Sequence, residues 1–498
     1  MTHPTIIAVA VALPVYGTFS YQVPEHILAR VVPGVRVLVP FGQRQVTGYV
    51  MGAAAAGEAL ELKAVADVLD EAPLFPADMM AFFEWISEYY KHPLGEVIKD
   101  ALPGGLNLYE YTTLSLTDRG REHLDGGAAS AAEKRLLAAL ASGGRRLRDL
   151  QRESEPDFPR ALLIALEQKG WVCRRRDLQG GRTRPKSERC VTLIQDAPDT
   201  EAMSPARRRI VSQLKLNGEM PLRELKKLAP SATTIVNALE KSKIVKCRSR
   251  RLYRDPFGEP VRPDAAPELT DEQSRVVERI EASFRQGFGA FLLKGVTGSG
   301  KTEVYMRLAQ KAIAAGRTVL VLVPEIALIT QVERRFRARF GDRVAVLHSG
   351  LSAGERFDQW SRILDGEVAV AIGARSAVFA PLSDIGLVVV DEEHDASYKQ
   401  EDKLRYHGRD LAVVRAKMNH CAVLLGSATP SLESAFNAVR GKYTELRLTE
   451  RVEKRPLPQI RTVDLKRFRD MRGPRRFITE DLQRAIQATL DRGEQVLL

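Results

Sequence analysis

The stretch "LLKGVTGSGKTEVY" sets Gly295, Gly300, Lys301 and Thr302 at the spacing G-x-x-x-x-G-K-T. Glycines at this spacing let backbone N–H groups close around a phosphate. The lysine reaches the β and γ oxygens, and the hydroxyl suits magnesium. Thr297, Gly298 and Ser299 complete the expected ATP-binding loop, and the helix starting near Lys301 offers its positive end to the anion. Ninety residues after Lys301, the apolar run "LVVV" ends abruptly on Asp391, Glu392, Glu393 and His394. A strand of this kind delivers Asp391 to the carboxyl edge of a parallel sheet, where nucleotide phosphates gather. Lys301, Asp391 and Glu392 are therefore the expected catalytic groups, with Thr302 and Asp391 holding magnesium and Glu392 orienting or deprotonating the attacking water.

Such groups need alternating strands and helices to bring them together. The rhythm is present in "RTVLVLVPEIALITQ", "RVAVLHSGLS", "VAVAIGARSAVFAP" and "AVLLGSATPSLES", each an apolar strand followed by a polar loop. The expected fold is multidomain α/β, with a RecA-like phosphate-loop lobe on a parallel sheet at 263–450 and the start of a second, incomplete lobe at 451–498. Ahead of the lobe, residues 1–105 read as a small β-rich unit closed by a helix rich in Phe82, Phe83, Trp85, Tyr89 and Tyr90, aromatics that suit a core. A faint repeat follows. "AEKRLLAALASGGRRLRDL" and "LLIALEQKGWVCRRR" parallel "PARRRIVSQLKLNGEMPLRELKKL" and "IVNALEKSKIVKCRSR", with Leu166 matching Leu239 and Trp171 matching Ile244. This order predicts two winged-helix units, at 106–190 and 191–262, separated by the polar link "LQGGRTRPKSER".

Composition bounds the function. With 498 residues, 44% of them hydrophobic, and no apolar run long enough to span a bilayer, the chain reads as several globular domains in the cytoplasm without a membrane partner. The net charge of +12 concentrates in arginine clusters between Cys173 and Arg254, which fit phosphate neutralisation on nucleic acid. Cys173, Cys190, Cys247 and Cys421 lack metal-ligand spacing, so no zinc site is expected among them.

The S-A-T triplet Ser427-Ala428-Thr429 after D-E-x-H is a signature of helicase superfamily 2. Together with "LVPEIALITQ", "LHSGLSAGER", "DEEHDASYKQEDKLRYHGRD", "LPVYGTFSYQVPE" and "YYKHPLGEVIKDALP", it makes the chain resemble the PriA family of bacterial replication restart helicases over nearly its whole length. The resemblance implies an ATP-dependent 3′-to-5′ DNA helicase that recognises stalled or abandoned forks and starts primosome assembly. The front unit would then bind the 3′ end of a nascent strand. Its expected partners are forked and single-stranded DNA, primosome proteins, single-stranded DNA-binding protein and the replicative helicase loading machinery, in a bacterial, nucleoid-associated setting. The segment 397–410 would report DNA to the ATP site, with Tyr398, Tyr406 and His407 as stacking faces and Lys399, Lys403, Arg405 and Arg409 as phosphate contacts. Arg375, Ser376, Ser427 and Thr429 would face or couple the nucleic acid, and Gln273 would read adenine.

Two positions depart from the family pattern: Ser20 replaces an acidic residue and Leu404 a proline. The sequence also stops at "EQVLL", the expected start of a strand, without the second lobe or the cysteine-rich zinc insertion of the family. That absence supports a second reading, a fork-binding scaffold that does not hydrolyse ATP. A superfamily 2 translocase on RNA or in restriction would share the ATP motifs but not the front unit.

Overall fold

The apolar runs in "IIAVAV" and "RVLVPF" bury side chains while their backbones pair, and the first strands form on them. The computed structural model describes residues 5–54, 62–104, 106, 109–126, 130–141, 143–153, 160–179, 186–194, 203–258, 260–452, 459–468 and 478–498. They fall in two compact units, Met1–Glu450 and Arg451–Leu498. The first unit opens with β1 (Ile6–Val11), β2 (Phe19–Gln22), β3 (Arg36–Phe41), β4 (Arg44–Ala53) and β5 (Asp67–Val68). They build an antiparallel sheet in the order β2-β1-β4-β3-β5. Ser20 lies exposed on β2 opposite Ala8.

Helices α1 (Met79–Tyr90) and α2 (Leu94–Ala101) follow. Gly95 permits α2 to lie on β1: a Cβ there would sit 1.7 Å from the Val11 carbonyl oxygen. The aromatic residues of α1 do form core, but a shared one. Phe82 and Phe83 place their rings 6.3 and 6.5 Å from Phe379, over a hundred residues into the next α/β region.

Two modules of like topology come next. The first comprises β6 (Tyr109–Leu116), α3 (Asp118–Gly126), α4 (Ala131–Ala139), β7 (Arg145–Arg146), α5 (Leu147–Glu153), α6 (Arg160–Gln168) and β8 (Val172–Gln179). The second comprises β9 (Lys186–Leu193), α7 (Pro205–Asn217), β10 (Met220–Pro221), α8 (Leu222–Leu228), α9 (Ala232–Lys241) and β11 (Val245–Leu252). In each, the leading strand sits in the middle of a three-stranded sheet, in the orders β7-β6-β8 and β10-β9-β11. The repeat extends to single hydrogen bonds. Trp171 N–H donates to the Leu166 carbonyl as Ile244 N–H donates to that of Leu239, at 3.0 and 2.9 Å. The second module therefore begins at Lys186, inside the stretch expected to be a polar link, because "KSERCVTL" pairs along its length with β11. Residues 180–185 of that stretch lie outside the described residues.

The main sheet is wholly parallel. Its elements are α10 (Asp271–Glu281), β12 (Gly289–Gly295), α11 (Lys301–Ala314), β13 (Thr318–Leu322), α12 (Ile326–Phe340), β14 (Val344–Leu347), α13 (Ala353–Leu364), β15 (Val370–Gly373), β16 (Ile385–Val390), α14 (Gly408–Met418), β17 (Ala422–Ser427), α15 (Leu432–Val439) and β18 (Thr444–Leu448). The strand order is β14-β15-β13-β16-β17-β12-β18. All six residues of β16 are buried. At about 1.5–3 kcal/mol for each fully buried branched side chain, that burial fixes β16 in the middle of the sheet. Strand β17 lies between β12 and β16. The loops after all three strands consequently emerge side by side at one edge.

In the second unit, α16 (Glu480–Asp491) starts at the cap Thr479, whose hydroxyl accepts from Leu482 N–H. Residues 494–498 form no strand, contrary to the expectation from "EQVLL", since no described strand pairs with them.

Candidate nucleotide-binding site

The phosphate loop spans Gly295 to Thr302 between β12 and α11. Gly298 and Gly300 have φ of +81° and +80°, a region that admits glycine without strain, and Gly300 caps α11. A Cβ on Gly295 would lie 2.7 Å from Ser299 Oγ and 3.1 Å from Lys301 Cγ, so the loop can curl only around a glycine. Lys301 Nζ donates to the Gly295 carbonyl at 2.9 Å and stands 3.9 Å from Glu392 Oε1. The buried Ser299 Oγ has no hydrogen-bond partner in the structure. A curled loop with a lysine folded over it, an unpaired hydroxyl and Thr302 in the first helical turn fits a nucleotide phosphate with its magnesium ion.

The acidic turn is split by its backbone. Glu392 has φ of +43°, a left-handed conformation that costs a non-glycine residue about 1–3 kcal/mol. This twist sends three consecutive carboxylates to two places. Asp391 and Glu392 stay at the sheet edge beside the phosphate loop, whereas Glu393 turns fully inside. Burial pushes the Asp391 carboxyl above its usual range, opposed by a hydrogen bond from the Tyr305 hydroxyl to Oδ1 at 2.9 Å. Burial likewise pushes the Tyr305 phenol well up. Glu393 accepts from Arg409, from the Ser431 and Ser434 hydroxyls, and from Ser431 N–H. His394 Nδ1 pairs with Ser427 Oγ at 2.8 Å, and Ser427 Oγ accepts from Thr429 N–H at 3.0 Å. The D-E-E-H turn and the S-A-T segment thus form one hydrogen-bonded assembly.

Several expected nucleic-acid contacts are placed otherwise. Tyr398 is 0% exposed and donates its hydroxyl to the Asp391 carbonyl at 2.7 Å. Tyr406 is 7% exposed and stands edge-on to Phe379 at 5.3 Å. Neither offers a free stacking face; both are apolar rings that the segment buries to anchor itself. Arg409 is also inside, paired with Glu393 at 3.1 Å and with Asp410 at 3.0 Å, rather than open to phosphate. Arg375 donates to the carbonyls of Ser397 and Lys399 and pins the base of the loop. Lys399, Lys403, Arg405 and Ser376 remain exposed, and His407 is half-buried with its backbone N–H donated to the Tyr90 hydroxyl. A cavity of about 790 Å³ opens between this loop and the acidic turn, lined among others by Arg375, His394, Lys399, His407 and Asp410.

Gln273 is buried and committed. Its amide oxygen caps Thr270 N–H in a capping box, and its amide nitrogen donates to the Ser299 carbonyl at 2.9 Å. It braces the phosphate loop. Arginines along the sheet of the second module and beside it are ion-paired as well: Arg189 with Glu240, Arg223 and Arg250 with Glu188, and Arg248 with Glu219. Sequence reasoning counted the cations and missed these acids, which come from distant elements. It also missed Tyr305, one helical turn past Lys301. Among the described residues no cluster of three or more His, Cys, Asp or Glu side chains could hold a metal ion, and no helix is long and apolar enough to cross a membrane.

Residues 8–103 match the model of a 3′ DNA-binding domain (3′BD), and residues 270–437 match that of the DEAD/DEAH box helicases. The replication restart protein PriA of Bacillus subtilis (strain 168) is 33% identical over 96% of this chain and 60% of its own length. That of Synechocystis sp. is 35% identical over 99% of the chain and 60% of its length. The chain therefore spans about three fifths of the curated relatives it matches. A solved structure of RecG bound to a three-way DNA junction is 22% identical over 45% of the chain and 31% of its own, with a TM-score of 0.32.

Proposed function

Along nearly its whole length the chain matches the replication restart proteins named PriA, and on that premise we propose that it serves an ATP-dependent 3′-to-5′ DNA helicase acting at stalled or abandoned replication forks. The observation that carries this reading is the meeting of three segments at one sheet edge. The phosphate loop, the D-E-E-H turn and the S-A-T segment end the neighbouring strands β12, β16 and β17. In this reading residues 1–105 engage the 3′ end of a nascent strand, 106–185 and 186–262 are tandem winged helices, and 263–450 is the first helicase lobe. Forked and single-stranded DNA, primosome proteins and the helicase loading machinery of the bacterial cytoplasm are its partners.

Gly295 to Gly300 wrap the phosphates with backbone N–H groups, and Lys301 leaves the Gly295 carbonyl to meet the β and γ oxygens. Thr302 and Asp391 hold magnesium, which when bound neutralises charge on the phosphates. Glu392, held beside Lys301 by the left-handed turn, orients the attacking water or takes its proton. His394 carries the state of this turn to Ser427 and Thr429. Exposed Lys399, Lys403 and Arg405, with Ser376, supply nucleic-acid contacts on the hairpin pinned by Arg375. Tyr398, Tyr406 and Arg409 transmit from beneath it. Measuring ATP turnover against forked DNA with a 3′ leading end and against duplex RNA tests the reading. Stimulation by the fork alone supports it, and stimulation by RNA overturns it.

A further inference from the structure

Asp391 is fixed at its backbone from two sides, since its N–H donates to the Leu322 carbonyl at 2.9 Å and its carbonyl accepts from the Tyr398 hydroxyl at 2.7 Å. What remains free is rotation of the carboxylate. The Tyr305 hydroxyl removes that freedom by donating to Oδ1 at 2.9 Å from the buried face of α11. The space for this phenol is made by a third element. A Cβ on Gly426 of β17 would lie 1.7 Å from the Tyr305 oxygen and 2.8 Å from its Cζ. Any side chain there would drive the ring away from Asp391. The tyrosine thus ties together the helix that follows the phosphate loop, the strand that presents the acid and the strand that leads to the S-A-T segment.

We propose that Tyr305 is a positioning residue for the magnesium site: its hydroxyl holds the Asp391 carboxylate in the single orientation that receives the ion, with Gly426 keeping the place open for it. The inference rests on the nucleotide reading given above. Partners of this kind, which hold a metal ligand without touching the metal, typically change metal affinity 10–100-fold when removed. Tyr305→Phe keeps the ring and deletes the hydrogen bond.

The test is equilibrium binding of a fluorescent ADP analogue to the whole chain, titrated with magnesium, for the wild type and Tyr305→Phe. The expected result is metal-free affinity within about twofold of wild type and a magnesium midpoint raised at least about 10-fold. An unchanged midpoint overturns the proposal. Loss of metal-free binding as well overturns it too, because the tyrosine would then be serving the packing of the whole loop. A wild type that binds no nucleotide sinks the nucleotide reading itself. That outcome is distinct from a variant that binds magnesium like the wild type.

Discussion

Glu393 bears the mechanical load of the acidic turn at the residue scale. It is a fully buried carboxylate whose charge is met by Arg409 and by three groups of Ser431 and Ser434. Removing one partner of a buried ion pair strands the other charge, typically at about 3–5 kcal/mol. Arg409→Ala is therefore expected to lower the urea midpoint of the lobe by a stability loss of about that size. Arg405→Ala, on the exposed tip of the same hairpin, should stay within about 0.5 kcal/mol. Equal effects would contradict the division of the hairpin into a buried base and an exposed tip. That division was not legible in the sequence. Tyr398, Lys399, Arg405 and Arg409 all read as nucleic-acid contacts from residue type, yet burial separates them, and burial depends on Phe379, Glu393 and Ser431 contributed from elsewhere in the chain. The placement of Lys301 and Asp391 at one sheet edge was legible because a phosphate loop and the end of an apolar strand are local patterns. Thiol chemistry offers a simple check at this scale. Cys173 is exposed, whereas burial pushes Cys421 up to about 12, so Cys173→Ser should abolish the fastest-reacting thiol in a native alkylation time course.

At the scale of elements, α13 is the joint where the regions meet. Asp358 on this helix is buried and takes two hydrogen bonds from Arg254, just beyond β11. Arg251 donates to the Ser361 hydroxyl, and the Tyr253 hydroxyl donates to Asp365 at 3.0 Å. From the front unit, the Leu74 carbonyl accepts from Trp360 Nε1 at 2.7 Å. The loop before α13, His348 to Ser352, leaves the sheet at the same edge as the phosphate loop. Arg254→Ala leaves Asp358 buried without its cation and should cost on the order of 1–3 kcal/mol. It should also speed chymotryptic cleavage after Phe257, and an unchanged cleavage rate would show that the joint does not hold. The two modules were readable as a repeat, down to Leu166 and Leu239, because each buries the same helical face. The start of the second was not readable, since a charged strand such as "KSERCVTL" resembles a linker until its partner β11 is in view.

Across the whole molecule, the core of Met1–Glu450 runs from the front helices into the parallel sheet, through Phe75, Phe82, Phe83, Trp360 and Phe379. The front unit and the phosphate loop therefore belong to one packed body, and Tyr90 touches His407 where the two regions meet. The parallel sheet was foreseeable from its βα rhythm. The shared core was not, because its aromatic residues lie nearly three hundred positions apart. The central claim is that DNA and nucleotide occupy separate sites on this body, with Lys301 serving only the second. Titrating both a fluorescent ATP analogue and a fork with a 3′ leading end against the wild type and Lys301→Ala tests it most directly. The account predicts loss of nucleotide binding with fork affinity unchanged. Nucleotide affinity that survives the substitution, or fork binding that falls with it, would contradict the account.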